Sequence, residues 1–514
     1  MCIRDREGAA FKTGLGITPD AFNERWLDRL TGKRPTMGEI RADAGEGEEE
    51  PGARERRRIR QTEDEDVLAG LILGLDRITD VRTAKVVIEK LDHESDLVRE
   101  TIQVLLMRTQ EPKVMEYLLG EALENTAPLV RAGVARVLGK LKYEPALDDL
   151  EFLLEDRHWL VRAEAAWAVG QIGQEKSLPL LIRGLEDRSP KAWIVFADAV
   201  AAFGKPDKRA TLAIAPKLKS RHWPVRVTAA QALARTGTAE AIGPLIARFS
   251  REGGRLYREL RRALKMVTQD DLGPNPETWR KWWEKQQEDY GGLGPMPEKR
   301  AEPDDRYGDM DRPHPDDPSY YGRRIWSKSV GFVLDTSGSM DKTITITADD
   351  AKKLGDLPTR TSRFDLAKKV LNDALSKLDP RVRFEVVFFS SDVRPWKKRL
   401  IPASPGNVKA AASAVRAQPS KGETNIHGAL KAAIGLHDRD SLEADLDPIP
   451  DTVYFLTDGR PTKGEITSMP ELTSWFEDLN RFAKVELHII ALGELNLDLP
   501  SLQRLARAGN GELI

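Results

Sequence analysis

The residues best suited to chemistry lie in the stretch Ser329–Asp341, which reads SVGFVLDTSGSMD. Its apolar run, VGFVL, is typical of a strand buried on both faces of a parallel sheet. Asp335, Ser337 and Ser339 follow that run, and they fall on one side if the chain stays extended, because side chains alternate along a strand. They would then converge just past the carboxyl end of the strand, where open α/β sheets bind ligands. One carboxylate and two hydroxyls are hard oxygen donors, which suit Mg²⁺, Mn²⁺ or Ca²⁺ rather than zinc.

Two later stretches carry compatible donors. GETN at residues 422–425 opens an amphipathic helix, and Thr424 within it offers another hydroxyl. VYFLTDG at residues 453–459 is a second apolar strand, which ends in the carboxylate of Asp458. Three such motifs in one order favour a metal site, although Ser and Asp side chains also serve simply to cap helices.

DTSGSM, GETN and LTDG, in this order and on alternating β and α elements, resemble the von Willebrand factor type A domain. The resemblance covers roughly residues 326–514 and implies a doubly wound, Rossmann-like α/β fold. It also implies a metal-ion-dependent adhesion site that holds Mg²⁺, with Mn²⁺ or Ca²⁺ as alternatives. In that family the hydroxyls bind the ion directly and the aspartates often act through water. By position, the metal-site residues here are Asp335, Ser337, Ser339, Thr424 and Asp458.

The resemblance implies a function in protein binding without catalysis, in which an Asp or Glu of a partner completes the coordination of the ion. Two alternatives remain open. One is a regulatory subunit that works with a hexameric ATPase, as type A domains do in metal chelatases. The other is a metal-dependent hydrolase, for which Glu423 and His427 are the local candidates for a base. Against the second, the sequence has no Walker loop, H-E-x-x-H, G-x-S-x-G or catalytic cysteine.

The composition narrows the choice of partner and compartment. The 514 residues include 80 Lys+Arg and 82 Asp+Glu, so the net charge of −2 gives no argument for binding nucleic acid or an anionic membrane. No apolar run approaches the ~20 residues that span a bilayer. The opening MCIRDRE resembles translated adapter sequence, so we expect that the natural amino terminus is missing. The expected compartment is the cytoplasm of a bacterium, or outside it if a signal peptide has been lost.

Residues 67–290 show a helical repeat. RHWLVR at 157–162 and RHWPVR at 221–226 each precede an alanine-rich helix, and successive markers along the chain are 31 to 33 residues apart. The pattern V-R-x-x-A-A-x-A-x-G resembles HEAT-type repeats of the short bacterial kind, which stack as helix pairs and offer a second binding surface. We expect at least five copies, in which the arginine of each orders the turn before its helix. His158 and His222 occupy equivalent turns, which favours a structural role over metal binding.

The remaining segments connect or close these two regions. Trp279, Trp282 and Trp283 share one helix face, which is typical of a solenoid cap or of an exposed recognition patch. Residues 1–66 are predicted to hold one short helix, with Phe22 and Trp26 on one face, and a charged disordered linker.

Residues 291–325 are predicted to form an extended, proline- and acid-rich tether. We also hypothesise that an aspartate of this tether reaches the metal as a built-in ligand; the candidates are Asp304, Asp305, Asp316 and Asp317. The insertion Met340–Ser362 is expected on the metal face. The predicted fold is therefore multidomain, an all-α solenoid at 67–290 followed by an α/β domain at 326–514.

Overall fold

The computed structural model of the chain describes residues 52–287, 318–353, 358–435, 446, 449–493 and 498–514. The predicted helix around Trp26 and the four tether aspartates lie outside these residues. The chain divides into two compact units, residues 1–181 and residues 182–514. No helix among the described residues is long and apolar enough to cross a bilayer.

Helices make up the described part of the first unit. In chain order they are α1 (Ala53–Gln61), α2 (Glu65–Leu73), α3 (Val81–Glu89), α4 (Asp96–Met107), α5 (Pro112–Tyr117), α6 (Pro128–Lys140), α7 (Leu147–Leu153) and α8 (Trp159–Ile172), and α9 (Leu178–Arg183) crosses into the second unit. Small residues let neighbouring helices approach closely: a Cβ at Gly139 of α6 would overlap Ala168 of α8. Close packing of neighbouring helices therefore explains the alanines and glycines of the repeat.

The arginine of the repeat orders the preceding turn, as predicted. Arg131 donates from Nη1 to the carbonyls of Asn125 (2.6 Å) and Thr126 (3.1 Å), and its Nε and Nη2 bind both carboxylate oxygens of Asp156. Arg162 and Arg226 make the same pair of bonds to the carbonyls five and six residues before them. A guanidinium fixes such a turn because it presents several donors in a rigid plane.

The basic segment RERRRIR, expected to be disordered, belongs to helix α1. Ile59 is fully buried, and Arg56 is nearly so. Arg56 donates to Thr83 Oγ1 of α3 at 3.4 Å and lies 3.9 Å from Asp80. The helix forms despite its charge because one face, with Ile59 and Arg56, is buried while Arg57, Arg58 and Arg60 stay exposed to water.

The second unit begins with further repeats, which pack directly on the α/β domain. Its helices before that domain are α10 (Pro190–Ala202), α11 (Lys208–Ile214), α12 (Trp223–Thr236), α13 (Ile242–Phe249), α14 (Arg255–Thr268) and α15 (Pro276–Gln286). Trp279 of α15 is fully buried and donates from Nε1 to the Gly273 carbonyl at 2.9 Å. Helix α15 packs on α13, as expected of a helix that closes a repeat array.

A mixed sheet forms the centre of the α/β domain. Its order is β10 (Glu486–Ala491), β9 (Thr452–Thr457), β3 (Ser329–Asp335), β6 (Arg383–Phe389) and β7 (Val393–Pro395), and β8 (Ile401–Pro402) also pairs with β6. The first four strands are parallel, and β7 and β8 run antiparallel to β6. The helices of this domain are α16 (Ala348–Lys353), α17 (Arg363–Ser376), α18 (Pro405–Ala417), α19 (Ile426–Ile434), α20 (Met469–Ala483) and α21 (Leu499–Ala508). The predicted α/β fold is confirmed.

Two short hairpins form separate two-stranded sheets in this domain. Strands β1 (Ser319–Tyr320) and β2 (Arg323–Arg324) pair within the segment predicted to be tether. They fold because Tyr320 is buried against Phe332 and Tyr454. In the insertion, β4 (Thr343–Thr345) pairs with β5 (Arg360–Ser362).

Buried ion pairs join the last repeats to the amino-terminal ends of β9 and β10. Arg255, only 2% exposed, donates to the carbonyls of Asp451 and Lys484, and its Nε lies 3.5 Å from Glu486. Arg258 binds the same Glu486 carboxylate at 2.6 Å. We call this contact, centred on these arginines and Glu486, the seam. It lies at the strand ends opposite the predicted metal motifs, so the metal face points away from it.

Replacing Glu486 by Gln should lower the free energy of unfolding by about 3 kcal/mol or more, because two buried guanidiniums would lose their shared carboxylate. Chemical denaturation of the full chain measures this change. Glu284→Gln is the matched control: Glu284 is half exposed and pairs with Arg280 on the surface, so its loss should cost less than about 1 kcal/mol. Equal, small effects of the two substitutions would contradict the seam's role.

Candidate metal centre

Asp335 ends β3 as a fully buried carboxylate. Its Oδ1 accepts from the Ser337 backbone N–H at 2.8 Å, and its Oδ2 accepts from Thr457 Oγ1 at 2.8 Å. Burial raises the pKa of Asp335 to about 6, and the nearby charge of Asp458 acts in the same direction, against the lowering effect of these hydrogen bonds. Asp335 therefore lies where a positive charge would stabilise its ionised form.

The two serines connect Asp335 with the second aspartate. Ser337 Oγ lies 3.1 Å from Ser339 Oγ, which donates to Asp458 Oδ1 at 2.6 Å. Asp458 directly follows β9, the neighbour of β3 in the sheet, and is 3% exposed. The parallel pairing of β3 and β9 thus brings the ends of the first and third motifs into contact.

Thr424 approaches from the second motif. Its backbone N–H donates to Thr462 Oγ1 at 3.0 Å, and its side-chain oxygen lies 4.0 Å from the position of a Cβ on Gly459. The loop before it is bonded to the β3 loop, since the Gly338 N–H donates to the Gly422 carbonyl at 3.0 Å and Ser420 Oγ to the Ser337 carbonyl at 2.6 Å. All five predicted residues therefore lie on three loops that meet at one edge of the sheet.

These donors fit a hard divalent ion. In octahedral coordination at about 2.1 Å, neighbouring ligand oxygens lie about 3.0 Å apart. The separation of Ser339 Oγ from Ser337 Oγ, 3.1 Å, is close to this value, whereas Ser339 Oγ and Asp458 Oδ1 lie at the shorter distance of a hydrogen bond, 2.6 Å. Among the described residues, no three His, Cys, Asp or Glu side chains are grouped as a metal site, so hydroxyls must supply part of any coordination here. Ser337, Ser339 and Thr424 would hold the ion together with the two aspartates.

One further charged residue contacts this site, and the motifs did not indicate it. Arg363, the first residue of α17, donates from Nη1 to Asp458 Oδ2 at 2.8 Å. The Arg363 and Asp458 side chains are 9% and 0% exposed. Because Arg363 lies 95 residues before its partner and follows the insertion, spacing gave no signal for this contact.

The two candidates for a catalytic base differ in exposure. His427 is 2% exposed, with its ring 4.4 Å from that of Trp475 on α20. Glu423 is exposed, and its carboxylate lies 4.0 Å from Lys463 Nζ. The hydrolase alternative thus gains no support from His427.

Comparison with known families identifies both regions. HEAT repeats match residues 118–197, the PBS lyase HEAT-like repeat matches residues 225–250, and the von Willebrand factor type A domain matches residues 354–513. The chain therefore contains HEAT repeats followed by a von Willebrand factor type A domain. These families are mostly non-catalytic interaction modules. The matched span begins after β3, which the sheet nevertheless places within the same domain.

Several curated proteins resemble part of the chain. The heavy chain H1 of inter-alpha-trypsin inhibitor from Mesocricetus auratus is 33% identical over 140 residues, or 27% of this chain and 13% of that protein. The human heavy chain H4 is 32% identical over 145 residues, or 28% and 14% of the two chains. A von Willebrand factor type A structure from Catenulispora acidiphila matches 37% of this chain and 39% of its own, at 19% identity and a TM-score of 0.28. The chain spans about an eighth of the length of these curated relatives.

Replacing Gly422 by Ala should destabilise the chain by about 1–3 kcal/mol, because a side chain is strained at the Gly422 φ of +91°. Its Cβ would also lie 2.9 Å from Ser391 Oγ. Thermal unfolding measures the loss. Gly406→Ala, in helix α18 with no neighbouring atom within 4 Å, is the control and should be neutral or slightly stabilising. If both variants melted alike, the positive φ of Gly422 would not require glycine at this position.

Proposed function

We propose that the chain binds a protein partner through a divalent ion, most simply Mg²⁺, at the three loops that carry Asp335, Thr424 and Asp458. The contact between the β3 and β9 loops through Ser339 and Asp458 is the observation that carries this proposal. The resemblance to the inter-alpha-trypsin inhibitor heavy chains supports an interaction role rather than a particular partner.

The donor set explains why such an ion would remain able to bind a ligand from outside. Three donors are neutral hydroxyls and only two are carboxylates, so the protein cannot surround the ion with charge. Mg²⁺ held by few protein ligands keeps several waters. An exposed Asp or Glu of a partner replaces one of these waters, which makes the binding both metal-dependent and specific for an acidic group. The loops around the site then select among acidic partners.

The repeats extend this interaction surface. Stacked helical repeats present broad surfaces to partners, and the seam fixes the last repeats to the α/β domain. The last repeats and the metal face therefore belong to one compact unit. A partner that contacts both surfaces would gain affinity from the second contact without a further loss of rotational freedom.

A pull-down with the full chain tests this proposal, since the seam makes the α/β domain dependent on α14. Partners are captured in Mg²⁺ and in EDTA, with wild type and with Asp335→Ala. We expect a partner that is retained only by the wild type in Mg²⁺, because the variant lacks one carboxylate of the site. Mass spectrometry identifies the retained protein.

Asp373→Ala provides the matched control for this experiment. Asp373 lies on α17 with about half of its side chain exposed and pairs with Lys377, so its removal changes the net charge equally but outside the site. It should capture the same partner as the wild type does. A partner retained equally in EDTA and by Asp335→Ala would refute metal-dependent binding and would assign recognition to the loops or the repeats.

A further inference from the structure

A buried arginine occupies one side of the candidate metal centre. Arg363 binds one carboxylate oxygen of Asp458, and Ser339 binds the other. Both oxygens of this aspartate are therefore engaged by donors of the chain itself. A divalent ion that uses Asp458 must share this carboxylate with a permanent positive charge, because an arginine stays protonated in proteins.

The fold provides a slot for the Arg363 guanidinium. The Arg363 N–H donates to the Lys342 carbonyl at 3.0 Å, and Ser362 caps its helix, which together fix the base of the side chain. Gly493, just after β10, lies on the other side with a φ of +122°, and a Cβ there would overlap the guanidinium. The placement of Arg363 thus depends on three separate elements and is a built feature of the site.

We propose that Arg363 sets the charge of this site, so that it weakens binding of the divalent ion and strengthens binding of a partner carboxylate to the ion-loaded site. This inference rests on the metal-dependent function proposed above. It adds a residue that determines specificity to the five residues of the motifs.

Formal charges show why the two effects have opposite sign. The carboxylates of Asp335 and Asp458 with the guanidinium of Arg363 sum to one negative charge, and a divalent ion changes the sum to one positive charge. One carboxylate from a partner then makes the site neutral. Without Arg363, the loaded site would already be neutral, and the partner would bring an uncompensated negative charge into a buried position, which is costly.

Other charged groups near these loops contribute less. Glu423 and Lys463 are about half exposed and lie 4.0 Å apart, so each offsets the other. Lys342 is also exposed. Exposed charges are screened by water and salt far more strongly than the buried Arg363 is.

Two titrations of the full-length Arg363→Gln variant test the inference. Free Mn²⁺, measured by electron paramagnetic resonance, gives the affinity for the ion, and Asp335→Ala measured in parallel accounts for ions bound elsewhere. Acetate is then titrated into the Mn²⁺-loaded protein, and the relaxation of water protons reports its binding. This titration gives the affinity of the loaded site for a carboxylate. We expect Mn²⁺ to bind about tenfold more tightly and acetate about tenfold more weakly than in the wild type, because the substitution removes one positive charge a few Å from the ion.

Arg363→Lys keeps the charge and should leave both affinities near those of the wild type. Arg363→Met also removes the charge but introduces a more apolar side chain. It replaces Arg363→Gln in both titrations if the Gln variant fails to fold. If Arg363 had a purely structural role, its loss would lower the affinities for Mn²⁺ and for acetate together, and this result would overturn the inference. An unchanged Mn²⁺ affinity in folded Arg363→Gln and Arg363→Met variants would also overturn it. If neither wild type nor variants bound Mn²⁺, the proposed function and this inference would both fail. Tight Mn²⁺ binding without metal-dependent partner capture would contradict the proposed function alone.

Discussion

The burial of two carboxylates at one edge of the sheet is the constraint on which the site depends. Asp335 and Asp458 are both nearly inaccessible to water, and like charges at such positions destabilise each other and the fold. The chain supplies partial compensation through the hydroxyls of Thr457 and Ser339 and the guanidinium of Arg363. A divalent ion would complete this compensation, which gives a physical reason for its binding that is independent of family resemblance.

The second unit separates its structural contact from its proposed binding site. The seam buries Arg255 and Glu486 at the amino-terminal ends of β9 and β10. The metal motifs follow the carboxyl ends of β3 and β9, at the opposite edge of the same sheet. Because parallel strands send all of their carboxyl ends to one edge, the metal motifs come together at an edge that the seam does not occupy.

Much of this architecture was predictable from the sequence because it follows from periodic patterns. The 31- to 33-residue repeat predicted the helical region and the role of Arg131, and the apolar runs that end in Asp335 and Asp458 predicted two strands. The motifs also predicted which loops would meet, since adjacent parallel strands place their ends together.

The rest was not predictable because it depends on tertiary contacts without a local signal. Arg363 begins an ordinary amphipathic helix, and contacts distant in sequence, among them the Gly493 turn after β10, direct its guanidinium to Asp458. The contact of His427 with Trp475, a residue distant in sequence, likewise has no local signal. The helix at 53–61 was not predicted, because its high charge is typical of a disordered segment. The composition alone does not show that Ile59 is buried.

The most direct test of the central claim is the anomalous scattering of crystals of the full chain grown with Mn²⁺. We expect one strong anomalous peak at the edge of the sheet, in direct contact with the hydroxyls of Ser337 and Ser339, and its loss in crystals of Asp335→Ala. A peak confined to other carboxylates on the surface, or none at this edge at saturating Mn²⁺, would contradict the claim that these three loops form a metal centre.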